Sequence, residues 1–122
     1  LTSNTTSEKV IYRLPILDTA GTLGDLEVVY DWSVNIIDAT ALCFTLTSSG
    51  DLFIGSDSEA DPLVLVKDGV ASGFYSSVLV PPIRYMAWGN AEFLYLINKT
   101  DETNRVQKVD TRLSGASYYG RP

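Results

Sequence analysis

Apolar residues come along this chain in short runs, each closed by a cluster of glycine, serine, asparagine or aspartate. The first run, Val10-Ile11-Tyr12-Arg13-Leu14, stops at Pro15 and is followed by turn chemistry over 18–24. Further runs fall at 26–32, 41–47, 52–54, 62–67, 72–76, 84–89, 93–96 and 105–110. Such short runs, rich in β-branched and aromatic residues and bounded by turn formers, predict strands. Ser117-Tyr118-Tyr119 adds a weak last strand or an arm. No window carries a 3.6-residue period with caps, so no helix is predicted.

The pattern is organised around residues 48–67, SSGDLFIGSDSEADPLVLVK. Ser48-Ser49-Gly50-Asp51 is a turn, because glycine supplies positive φ and Ser and Asp bond their own backbone. Leu52-Phe53-Ile54 is a strand, Ser56 to Asp61 a polar loop, and Leu63-Val64-Leu65-Val66 the return strand before the Lys67-Asp68-Gly69 turn. A diluted copy occupies 91–110. Leu52 and Leu94 stand 42 positions apart, and Leu63 and Val106 stand 43 apart. Each copy has a strand ahead of it, at 41–46 and at 84–89. A period of ~40–45 residues with about four strands per unit is the spacing of a propeller blade. Two unrelated hairpins in a β-sandwich are the alternative arrangement.

The predicted fold is therefore all-β, with propeller-like blades of four antiparallel strands. Residues 1–9 are polar and read as a flexible tail or linker. Residues 10–37 give half a blade, 38–80 a full blade, and 81–122 a last blade with a C-terminal arm. Pro81 and Pro82 forbid a central strand at the crossing between the last two. The chain thus holds about two and a half blades, whereas a closed propeller needs at least ~4. Open sheet edges and apolar faces invite association, so the missing blades are expected from other copies of the chain or from another chain.

The order strand, SG- or DG-turn, Leu52-Phe53-Ile54-Gly55, acidic loop, Leu63-Val64-Leu65-Val66-Lys67-Asp68-Gly69 resembles secreted bacterial β-propellers of the SMP-30/NHL-like, six-bladed type. The resemblance runs from about Val10 to the end and fits the C-terminal blades. It implies a secreted or cell-surface protein. It also implies, for an enzyme of the SMP-30/lactonase kind, a divalent metal at the ring centre held by carboxylate and Asn ligands. The positions that would answer to them are Asp38, Asn90 and Glu92.

Composition narrows the function classes. The 122 residues allow one domain at most. The net charge of −6 disfavours the nucleic-acid backbone and anionic membrane surfaces. No run reaches the ~18 apolar residues of a membrane helix. Leu1 is not a start methionine, so the chain is read as a mature product or a piece of something longer. Seven Tyr, four Phe and two Trp suit pleated surfaces.

The chemistry on offer is sparse. There is no histidine, which removes Ser-His-Asp and Cys-His catalysis and His-based zinc sites. The one cysteine, Cys43, sits between Leu42 and Phe44 and reads as a small buried apolar residue. No glycine-rich nucleotide cradle occurs. Asp57, Glu59 and Asp61 place three carboxylates in five residues, a set that could hold calcium. They lack the central glycine and distal Glu of an EF-hand, and a solvated hairpin tip is the plainer reading. Asp101-Glu102 in the matching loop is a weaker set. Trp88, Asn90 and Tyr85 are candidates for a ligand-binding face that stacks on a sugar ring, against core packing for Trp88. Tyr118 and Tyr119 are the candidate inter-subunit contact. Asn4-Thr5-Thr6 and Asn98-Lys99-Thr100 fit the N-glycosylation pattern. The leading expectation is a non-catalytic, secreted binding or assembly domain. The alternatives are an SMP-30/lactonase-like hydrolase fragment and a glycan-binding β-sandwich.

Overall fold

Turn residues and apolar runs build ten antiparallel strands, with no α-helix among the described residues. They are β1 (Thr2–Asn4), β2 (Lys9–Arg13), β3 (Glu27–Asp31), β4 (Ala41–Leu46), β5 (Leu52–Ser56), β6 (Leu63–Lys67), β7 (Val70–Gly73), β8 (Ile83–Trp88), β9 (Phe93–Lys99) and β10 (Asn104–Asp110). The structure is a computed structural model that describes residues 2–4, 9–32, 39–102 and 104–116. The chain divides into two units, Leu1–Asp38 and Ala39–Pro122.

The first unit is a three-stranded sheet in the order β1-β2-β3. Its strand β1 lies in the polar segment that the sequence reads as a tail, and it pairs through backbone with β2 (Thr2 with Ile11, Asn4 with Lys9). A bulge between Ile11 and Tyr12 shifts the β2–β3 register. Val10, Ile11, Tyr30 and Trp32 are buried, and the Tyr30 and Trp32 rings meet edge to face at 6.3 Å. Burial, with the neighbouring Asp31 carboxylate behind it, pushes the Tyr30 phenol up from its usual range.

The second unit holds two open antiparallel sheets, in the orders β4-β5-β6-β7 and β8-β9-β10. The β4–β5 turn closes as its residues dictate: Gly50 takes a φ of +90°, and Thr47 Oγ1 accepts the Asp51 amide at 3.0 Å. At the β6–β7 turn both Asp68 (φ 51°) and Gly69 (φ 75°) are left-handed, the requirement of a two-residue type I′ hairpin. This tight turn pairs Lys67 directly with Val70. The strand predicted at 72–76 therefore runs instead from Val70 to Gly73.

The two sheets share one apolar core. Strand alternation puts Cys43, Phe53, Leu63 and Leu65 on one face of the first sheet. That face packs on Ile83, Met86, Trp88, Leu94, Leu96 and Val109 of the second. The Phe53 ring lies 5.9 Å from Trp88 and 5.1 Å from Phe74, both edge to face. Gly55 lets the backbones of β5 and β8 approach, because a Cβ there would stand 2.8 Å from the Ile83 carbonyl oxygen. On the other face of the first sheet Leu52, Ile54, Val64 and Val66 are also buried, while Phe44 and Leu46 on edge strand β4 are partly exposed.

Residues 114–116 form a clasp over this core. Gly115 bridges Thr47 in antiparallel fashion, Ser48 donates to the Ser114 carbonyl (2.7 Å) and Ala116 to the Leu46 carbonyl (2.9 Å). Trp88 Nε1 donates to the same Leu46 oxygen at 3.0 Å. Gly115 lies flat on the indole, where any Cβ would overlap the ring.

Candidate functional site

A cavity lies beside a local irregularity of strand β8. Strand β8 pairs Ile83 with Asn98 and Tyr85 with Ile97, so Arg84 is the extra residue of a bulge. Bulges re-aim side chains, and here two consecutive ones, Arg84 and Tyr85, both reach solvent. Across the ladder β9 ends at Lys99, and Thr100 and Asp101 begin the turn to β10. These five residues line a cavity of about 360 Å³. The Arg84 Nε donates to the Lys99 carbonyl at 2.9 Å, which ties the guanidinium to the end of β9. Thr100 Oγ1 accepts the Glu102 amide at 3.3 Å and holds the turn. The lining holds two cations and one carboxylate, a net positive set in a chain whose net charge is −6.

A second feature lies in the first unit. Between β2 and β3 the chain folds back on itself: Ile16 bridges Leu23, Leu17 donates to the Thr22 carbonyl (2.8 Å) and Gly24 to that of Pro15 (2.8 Å). Asp18 Oδ1 accepts the amides of Ala20 and Thr22, each at 3.0 Å. Hydrogen bonds from Thr22, then those from Ala20 and Gly21, hold the Asp18 carboxyl below its ordinary range. This small hairpin and the strand after it present Leu14, Ile16 (70% exposed), Leu17, Leu23, Leu26 and Val28 (61% exposed) to solvent. Asp18, Asp25 and Glu27 stand among them, and Arg13 pairs with Glu27.

The residues singled out in the sequence are dispersed. Asp57 accepts the Thr40 amide at 2.7 Å, Asp61 accepts the Ser76 hydroxyl, and Glu59 is exposed. Two of the three carboxylates thus pin the acidic loop to neighbouring segments, with Ser56 Oγ (to the Asp61 carbonyl, 3.0 Å) and Ser58 Oγ (from the Asp61 amide, 3.0 Å) completing the loop. Among the described residues no three carboxylate or cysteine groups gather as metal ligands would. Trp88 is a core residue, while Tyr85 is 57% exposed and on the opposite face of β8. Asn90 forms the β8–β9 turn, its carbonyl accepting the Phe93 amide at 3.4 Å. The Glu92 carbonyl accepts both the amide and hydroxyl of Thr111. Asp38, Tyr118 and Tyr119 lie outside the described residues.

Two further sequence features take a definite structural role. Cys43 packs against β8, with Sγ 3.5 Å from the Ile83 carbonyl oxygen. Burial pushes its thiol up to about 12. Asn98, the glycosylation candidate, is buried, and its amide group donates to the Val80 and Pro81 carbonyls beside the cis Pro81–Pro82 bond. Asn4 lies in β1. No helix of the described residues is long and apolar enough to cross a membrane. Compared with known proteins, the chain matches no family model, no curated protein and no solved structure.

Proposed function

We propose that this chain is a non-catalytic association domain, a partial assembly of propeller-like blades that joins other copies of itself. The observation that carries this reading is the exposed apolar hairpin of the first unit, where six large aliphatic side chains between Leu14 and Val28 face solvent. Aliphatic residues scattered singly over a surface need no explanation, but six within fifteen residues of chain suit a contact site. The second unit supports the reading: on the outer face of β8-β9-β10, Ile97 and Val106 pair across the ladder and both are exposed. The offsets of 42 and 43 residues between the sheets support the blade-like architecture. A secreted setting, as in the resembling propellers, fits an assembly of this kind.

The test is the absolute mass of the chain in solution by light scattering, repeated on the double variant Ile16→Asp/Leu17→Asp. The native chain is expected as a multimer. Each aliphatic side chain moved out of water contributes about 1.5–3 kcal/mol, so removing two weakens association by at least ~100-fold and leaves a folded monomer. A native chain that stays monomeric at concentrations of about 1 mM, far above the working range of stable interfaces, overturns the proposal.

A further inference from the structure

We propose that the cavity lined by Arg84, Tyr85, Lys99, Thr100 and Asp101 binds a carboxylated pyranose, a hexuronate unit of an acidic polysaccharide. The groups present select this chemistry over its competitors. Tyr85 offers an exposed ring at the cavity wall, a flat apolar platform with a polar tip. The C–H face of a sugar ring lies on such a platform, and a bare inorganic anion gains nothing from it. Arg84 spends its Nε on the Lys99 carbonyl and keeps its two terminal nitrogens for a fork with a carboxylate. Lys99 adds a second cation to the same lining.

Asp101 decides the charge of the ligand. Its carboxylate beside the two cations leaves one net positive charge in the cavity. A monoanion neutralises that charge, whereas a phosphate dianion leaves an unmatched negative charge beside Asp101. Asp101 also provides an acceptor for ring hydroxyls. The cavity volume of about 360 Å³ is at the small end for ligand sites, ~300–1,000 Å³, which suits one or two rings of a longer chain. The charge of −6 on the whole chain works against loose attraction of polyanions. Recognition therefore depends on the local arrangement at the bulge of β8, independently of the association reading above.

The experiment titrates the full chain with trigalacturonate and with trimannuronate, followed by amide chemical shifts, with the methyl-esterified sugars and inorganic phosphate as comparison probes. At least one free acid is expected to bind saturably and to shift residues 84–85 and 99–101. Its methyl ester, which keeps the ring and loses the charge, binds at least ~10-fold more weakly. Phosphate at equal concentration does not displace it. Tyr85→Ala weakens acid and ester alike, while Lys99→Gln narrows the gap between them. The Ile16→Asp/Leu17→Asp monomer binds as the native chain does, which separates this site from assembly. Absence of saturable binding by both acids up to ~10 mM, at the weak limit of specific affinity, overturns the proposal. So do equal binding of acid and ester, displacement by phosphate, or shifts confined to other residues of the native chain.

Discussion

Replacing Gly55 with alanine puts a methyl group against strand β8 of the facing sheet. A Cβ at this position stands 2.6 Å from Cys43 Sγ, 2.7 Å from Ile83 Cγ2 and 2.8 Å from the Ile83 carbonyl oxygen. Carbon atoms settle at about 3.5–4.0 Å, so each contact is short by roughly 1 Å. The Cys43 sulfur can turn aside. The Ile83 oxygen is backbone, in a strand paired to β9 through Asn98, and yields only if β5 and β8 separate. Separation loosens the Phe53–Trp88 contact behind them. Overpacking of this kind costs about 1–3 kcal/mol, offset by the ~0.5–1 kcal/mol that alanine gains over glycine in a strand. The net expectation is a loss of about 0.5–2 kcal/mol, read as a lowered urea midpoint with unchanged slope. The double variant Cys43→Ala/Gly55→Ala recovers only part of the loss, since both contacts with Ile83 remain. A Gly55→Ala chain as stable as the native one would refute the close approach of β5 and β8.

Two further outcomes follow from buried polar groups. The unfolded chain releases the Cys43 proton near pH ~8.5, whereas the folded chain holds it to about 12. Between those values the native state binds the extra proton, so this stabilisation is intact below pH ~8.5 and is lost as pH rises toward 12. Chemical denaturation at pH 7 and pH 10 should show a smaller alkaline loss in Cys43→Ala, and a thiol reagent at pH 8 should label the native chain far more slowly than the unfolded one; rapid native labelling would count against a buried thiol. Asn98→Asp exchanges the donor of two bonds to the Val80 and Pro81 carbonyls for a buried acceptor. It should cost at least about 1–3 kcal/mol in denaturation, and mass spectrometry of chain made by glycosylating cells should find no glycan on Asn98; a glycan there would contradict its burial.

The strands were largely legible in the sequence because turn chemistry is local. Asp68-Gly69 and Gly50 announce the hairpins that the structure builds, and β5, β6, β9 and β10 follow from their apolar runs. Strand ends were less legible, since a two-residue turn moved β7 forward to Val70. The cavity was only half visible. Tyr85 stood out as an exposed aromatic candidate, but its grouping with Arg84, Lys99, Thr100 and Asp101 depends on a bulge that no residue type signals. The available hint was a cation beside an aromatic at 84–85 facing a second cation across a short hairpin. Trp88, placed beside Tyr85 by sequence, is separated from it by strand alternation. The apolar hairpin read as a turn over 18–24 between two strands, because sequence shows which residues are apolar and not which of them other segments cover.

Each sheet of the second unit pairs only strands that are neighbours along the chain. Every ladder can therefore zip up over a short loop, the arrangement that closes fastest. Three things must wait for distant segments: the meeting of the two sheets, the bond from the Trp88 indole to Leu46, and the bridge from Gly115 to Thr47. The last of these touches both sheets, because Gly115 lies against a ring from one sheet while pairing with the end of a strand in the other. The clasp thus ties the fit of the two sheets to a C-terminal segment that touches both of them.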